Sequence, residues 1–175
     1  MYYIWYSAET GEILGYSEGE VYEHFDVYIT SDVSPDDYGW ENCSVVNGQL
    51  VVTLEGYKYK AKRELDNACN SNLGFEVASG KYISYLEGEK LLIYRVYYQL
   101  QRNSYVLPVV SNLDSGEESA IVYQTQADIQ SAIDSIIAHL TEFRIFKAQK
   151  KDAINAATSK EQIEAIDLVP PTFNI

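Results

Sequence analysis

Residues Thr125 to Asp167 read TQADIQSAIDSIIAHLTEFRIFKAQKKDAINAATSKEQIEAID, and this stretch decides the fold. Ile129, Ile133, Ile136, Leu140 and Phe143 recur at spacings of 4, 3, 4 and 3. That is the period of one helix face, because side chains three and four residues apart stack on the same side of the helix. Thr125 is a good N-cap, with Asp128 three residues on. The seam next calls on positions 147 and 150, which are both Lys, so a strict heptad stops there and Phe146 continues the buried face. Lys147, Lys150 and Lys151 suit the negative end of the helix dipole. Thr158-Ser159-Lys160-Glu161 reads as a capping box opening a second, short helix that buries Ile163 and Ile166. Pro170-Pro171 stops it. The stretch predicts a long helix turning into a helical hairpin near Ala157.

Upstream of this stretch the chain changes character at Lys58. Tyr59 to Asn70, rich in Lys, Arg, Glu, Leu and Ala, reads as a helix that Asn72 and Gly74 end. Phe75–Val77 and Lys81–Leu86 flank Ala78-Ser79-Gly80 as a hairpin. Glu89–Arg102 reads as a helix on its length. Val106–Val110 and Ala120–Gln124 form a third hairpin around a longer loop. Before Lys58 the pattern is β throughout. Tyr2–Tyr6 is aromatic and β-branched, Ala8-Glu9-Thr10-Gly11 is a turn, and Glu12–Tyr16 returns as its partner. Val21–Thr30 alternates with period two, and Ser31–Gly39 is a loop. Cys43–Val46 and Gln49–Leu54 flank Asn47-Gly48, the pair that a type I′ hairpin turn prefers because both positions need positive φ. The predicted class is α+β: a small N-terminal all-β unit at 1–57, an α+β domain at 58–168 ending in the long helix and hairpin, and a tail at 169–175.

Charge marks the same boundary. The chain has 175 residues, 13 basic and 26 acidic, for a formal charge of −13. Eleven acids and no Lys or Arg precede Lys58, so the first 57 residues carry −11. A chain this acidic lacks the basic footprint of a nucleic-acid binder and repels anionic membranes. No apolar run reaches spanning length, and the N-terminus lacks the basic start of a signal peptide. Cys43 and Cys69 are too few for a disulfide framework.

Catalytic chemistry finds little purchase. His24 and His139 are isolated, so scattered His and Cys do not make a zinc site. Gly74 to Lys81 lacks the glycine spacing of a P-loop, and Tyr82 stands where Ser or Thr must hold magnesium. Asp32, Asp36 and Asp37 lack the alternation and central glycine of a calcium loop. Nothing selects a pair of carboxylates for glycoside hydrolysis. Asn42-Cys43-Ser44 is formally a glycosylation sequon. We expect no catalytic, metal-binding or cofactor-binding residues and no cofactor. Tyr and Trp, by contrast, crowd the first forty residues. Such side chains pack small β-domains and also anchor interfaces. The candidates for interface anchors are Tyr2, Tyr3, Trp5, Tyr6 and Trp40.

Lys150 to Asp167, KKDAINAATSKEQIEAID, resembles the segment (K/R)-x-A-I-x-A-A-T-(T/S)-x-E-(E/Q)-(I/V)-E-A-I, which closes a domain of tailed-phage tail-fibre and tail-fibre-assembly-related proteins. The order of elements over about 58–168 is similar to the rest of that domain. The chain departs from the family at Leu168-Val169-Pro170-Pro171, where a Trp-containing close is usual, and in a more tyrosine-rich second helix. The family has no assigned catalytic residues, and none are carried over. The resemblance implies a non-enzymatic structural component of a virion: a tail-fibre, baseplate or fibre-adaptor protein. It would bind other tail proteins, form a homo-oligomer in the particle, and be made in the host bacterial cytoplasm. A tail-fibre assembly chaperone is the alternative. A carbohydrate-active tail enzyme is the third reading.

Overall fold

The computed structural model describes residues 1–19, 27–71, 75–78, 81–83, 106–112 and 118–171. The fold is α+β, with antiparallel sheets first and helices after them, including a long one near the C-terminus. His24, the first part of the Val21–Thr30 strand, the Glu89–Arg102 helix and the Ser79-Gly80 turn lie outside the described residues.

Two compact units make up the chain. One consists of Met1–Glu64 with Lys151–Asp167, the other of Leu65–Lys150 with Leu168–Ile175.

The first unit begins with β1 (Tyr2–Tyr6), β2 (Ile13–Glu18) and β3 (Tyr28–Ser31), an antiparallel sheet in the order β2-β1-β3. A hairpin follows, β4 (Cys43–Val46) and β5 (Gln49–Val52). Its turn holds Asn47 at φ 53° and Gly48 at φ 73°, the two positive values that an Asn-Gly turn supplies. The hairpin approaches β2 through β4 and β3 through β5, so five strands surround one core. Ile4, Ile13, Cys43 and Val45 are buried there with Tyr38; Tyr2, Tyr6, Tyr16, Ile29, Leu50, Val52 and Tyr57 pack around them.

Gly11 makes the join between β2 and β4 possible. The Val45 N–H donates to the Gly11 carbonyl at 2.8 Å, and Glu12 bridges Ser44. Gly11 has φ 73°, and a Cβ there would run into the Val45 carbonyl oxygen. Glycine is thus required twice over, for the left-handed backbone and for the close approach.

Between β3 and β4 the chain is not the plain loop expected at Ser31–Gly39. Pro35–Tyr38 forms a 3₁₀ turn, with Pro35 at its first position and the Ser34 hydroxyl accepting from the Asp36 N–H at 3.3 Å. Proline there has its φ set and loses no hydrogen bond. The turn drives Tyr38 into the core. A second 3₁₀ turn, Trp40–Asn42, leads into β4.

Helix α1 (Leu54–Ser71) starts five residues before the expected Tyr59. The reason is Thr53, which reads as strand by propensity but acts as the cap: its hydroxyl accepts from the Gly56 N–H at 3.3 Å. The first cations of the chain then work inside this unit. Lys58 donates to the Asn155 carbonyl at 3.0 Å, satisfying an acceptor in the last turn of the long helix, and pairs with Glu55 at 3.2 Å. Lys60 lies over the Tyr38 ring at 4.9 Å, Tyr38 meets Tyr57 edge-on at 5.2 Å, and Lys160 lies over Tyr57 at 5.1 Å. This alternation of ammonium and ring ties α1 to the C-terminal turn by cation–π attraction.

In the second unit, β6 (Phe75–Ala78), β7 (Lys81–Ile83), β8 (Val106–Asn112) and β9 (Glu118–Val122) form an antiparallel sheet in that order. The register of β8 with β9 slips between Leu107 and Val110, where Pro108 sits. Proline cannot donate to a ladder, and a bulge is where a strand tolerates it.

Helix α2 (Gln126–Ala156) contributes to both units. Its Thr125 cap accepts from the Asp128 N–H at 3.2 Å and donates its hydroxyl to the Asp128 carboxylate at 2.8 Å. The seam is buried as expected: Ile129, Ile133, Ile136, Leu140 and Phe143 are each at most 7% exposed. Leu65 and Cys69 of α1 are buried in the same unit, and Lys147 pairs with Asp66 at 2.9 Å. Phe146 is half-buried under Lys150.

Helix α3 (Lys160–Glu164) corrects the capping box by one residue. The cap is Ser159, whose hydroxyl accepts from the Gln162 N–H at 3.3 Å, and Gln162 reaches back to accept from the Thr158 N–H at 2.8 Å. Both Ser159 and Gln162 satisfy the box spacing, so Glu161 is left one place early. Its carboxyl is nonetheless held below the ordinary range, first by its own backbone N–H and then by Ser159. Ile154, Ala157 and Ile163 are buried around the turn, and Ile166 is half-buried.

Candidate interaction surface

The five expected anchors fall in three different environments. Tyr2 and Tyr6 are half-buried against the core cluster, and Tyr2 meets Tyr16 edge-on at 6.5 Å. Tyr3 and Trp5 point the other way, because successive residues of a strand alternate. Tyr3 is half-buried and packs on Tyr28 at 5.7 Å. Trp5 is a core residue, only 3% exposed. Trp40 is 49% exposed, on the turn that enters β4. The β1 aromatics are therefore buried or half-buried, and Trp40 is the member of the set that faces solvent.

Three aliphatic side chains that the sequence did not single out are exposed near the same strands. Leu14 is 56% exposed, Val46 49% and Val51 43%. Their placement follows from register. In the hairpin Val45 pairs with Leu50 and Cys43 with Val52, all turned inward, so Ser44, Val46, Gln49 and Val51 turn outward. The Glu12–Ser44 bridge sets Glu12 on that same outward side. Across the strands the row is Val51, Ser44, Glu12. Leu14 stands two residues beyond Glu12 in the chain and is exposed like it.

Alternation puts Leu14 outside once Ile13 is buried at 3%. Trp5 pairs with Gly15 and Tyr6 with Ile13, which leaves Leu14 as the extra residue of β2. This bulge lets Ile13 and Tyr16, three residues apart, both face the core. In the sequence, Ile13-Leu14 is the signal: two adjacent large aliphatics break the alternation that a one-sided strand needs.

The electrostatics around this row have one sign. No Lys or Arg occurs before Lys58. Glu9, Glu12, Glu18, Asp32, Asp36, Glu41 and Glu55 are exposed. The described cations of this unit lie on α1, the end of α2 and α3, and among described residues none pairs with Glu12. Deeper in, Tyr16 donates its hydroxyl to Asp36; that bond, then burial, pushes its pKa up to about 12. Burial, with Glu41 nearby, pushes the Cys43 thiol up to about 11. Cys43 points at the carbonyls of Pro35 and Gly39, 3.9 and 4.0 Å away, and at neutral pH it is a protonated packing residue.

Among the described residues, no group of three or more His, Cys, Asp or Glu is placed to hold a metal ion. No described helix is long and apolar enough to cross a membrane. The arrangement presents exposed apolar side chains among carboxylates on the strands. No protein-family model, curated protein or solved structure matches the chain.

Proposed function

We propose that this chain is a non-enzymatic structural component of a tailed-phage virion, a tail-fibre, baseplate or fibre-adaptor protein that works through protein–protein contacts. The observation that carries the docking part is the outward row of the N-terminal unit, where Val51, Glu12 and Leu14 are exposed in a segment that holds no Lys or Arg before Lys58. Interfaces combine exposed apolar side chains with polar and charged ones. The tail assignment rests on the likeness of KKDAINAATSKEQIEAID to the closing segment of tail-fibre-related domains. In the structure this segment from Lys151 on belongs to the same compact unit as the five strands, held there by Lys58 on Asn155 and Lys160 on Tyr57. In this reading other tail proteins are the partners, the tail of the virion is the location, and no cofactor takes part.

The test is quantitative mass spectrometry of purified particles of the encoding phage, beside the lysate of infected cells. A fixed copy number in the particles supports the proposal. Abundance in the lysate with absence from particles replaces it with the assembly-chaperone reading. Sugar release from host-surface polysaccharide by the isolated chain would replace it with an enzyme.

A further inference from the structure

We infer that the outward row Val51–Ser44–Glu12, extended by the exposed Leu14, is a seat for a basic segment of another protein. The inference rests on the docking role proposed above and specifies the partner's chemistry.

Three observations lead to it. The row is fixed by backbone rather than by flexible side chains: the β4–β5 register, the Glu12–Ser44 bridge and the Val45 N–H bond to Gly11 set its positions. Its apolar members are 43–56% exposed, which is more than packing within the chain uses. Its carboxylate, on Glu12, is exposed on the same outward side, and the whole segment before Lys58 offers it no Lys or Arg. A Lys or Arg of the partner would meet Glu12, while an apolar neighbour on the same segment covers Leu14 or Val51. Electrostatic complementarity then selects the partner and speeds its arrival.

The same surface of a second copy does not fit this seat. An isologous contact sets a surface against itself, and here that would bring two segments of charge −11 together.

The experiment titrates the full chain with two blocked heptapeptides, one alternating Lys and Val, the other alternating Glu and Val, by calorimetry in low salt. The Lys–Val peptide should bind and the Glu–Val peptide should not. Glu12→Gln, which keeps shape and removes charge, should weaken binding by about threefold to fivefold. Leu14→Ser should weaken it by about tenfold. Val122→Ser, at an exposed aliphatic of the other unit, should change nothing. Thermal melts confirm that each variant is folded. Equal binding of the two peptides, an unchanged affinity in either Glu12→Gln or Leu14→Ser, or dimerisation of the chain that Leu14→Ser abolishes would each overturn the inference. Absence of the protein from purified particles would overturn the virion role instead, and leaves the peptide result to stand or fall on its own.

Discussion

The α2 seam and the five-stranded N-terminal region solve the same problem in opposite ways. The seam buries its residues on one element: Ile129, Ile133, Ile136, Leu140 and Phe143 need only a helix to line up. The strands bury Ile4, Ile13, Tyr38, Cys43 and Val45, which come from β1, β2, β4 and a 3₁₀ turn and meet only when several backbone details are right. A helix generates its own alignment through its period. A sheet must import it, through bulges, turns and close approaches. The first kind of core is therefore sensitive to side-chain volume, the second to single backbone positions.

The largest effect should come from the seam. Ile136→Ala should destabilise by about 2–5 kcal/mol in urea unfolding, since Ile136 is fully buried. Ile137→Ala, one residue round the helix and 44% exposed, should stay within about 0.5 kcal/mol. If both cost the same, the contrast between the two faces fails.

Two glycines probe the strand region. Gly11 and Gly48 have the same φ of 73°, but a Cβ at Gly48 meets nothing within 4 Å, whereas at Gly11 it meets the Val45 carbonyl. Gly48→Ala should cost about 1 kcal/mol, the conformational penalty alone. Gly11→Ala should cost about 2–3 kcal/mol, as the β2–β4 join must also shift. Equal costs would mean that the join yields without resistance.

A smaller effect separates the two candidate caps of α3. Ser159→Ala should lose about 1 kcal/mol, and Thr158→Ala less than about half of that. Smallest is a pH effect from Tyr16. Its pKa rises from 10.0 unfolded to about 12 folded, so its contribution is complete below pH 10 and lost as pH climbs through 12. Tyr16→Phe should remove that part of the alkaline decline, read as a converging difference in urea midpoint between the two proteins over this window.

The two regions also differ in how much of them the sequence reveals. The α2 seam, the Thr125 cap and the Asn47-Gly48 turn can be read directly, because each depends on residues a few positions apart. The bulge at Leu14 and the Glu12–Ser44 bridge cannot, because they are decided by strands that are distant in the chain. That is why the β1 aromatics attract attention as anchors while the exposed row lies on β2, β4 and β5. Trp5 illustrates the difficulty: composition favours a large aromatic at either a core or an interface, and only the fold places it at 3% exposure. Caps are a middle case. Thr53 and Ser159 are visible as hydroxyls near helix starts, but Thr53 sits in a β-like run and Ser159 beside another good cap, so local sequence leaves the choice open by a residue or more.

The bond from Lys58 to Asn155 spans 97 residues of chain. A ribosome adding about 5–20 residues per second needs about 5–20 s to cover that distance. During this interval the strands exist without the helical turn that completes their unit, and Tyr57 waits for Lys160. Whatever guards a nascent chain must therefore attend to the beginning of this one until its end has been made. A premature stop between Tyr123 and Lys150 would release a protein with every described strand present and its first unit still unfinished.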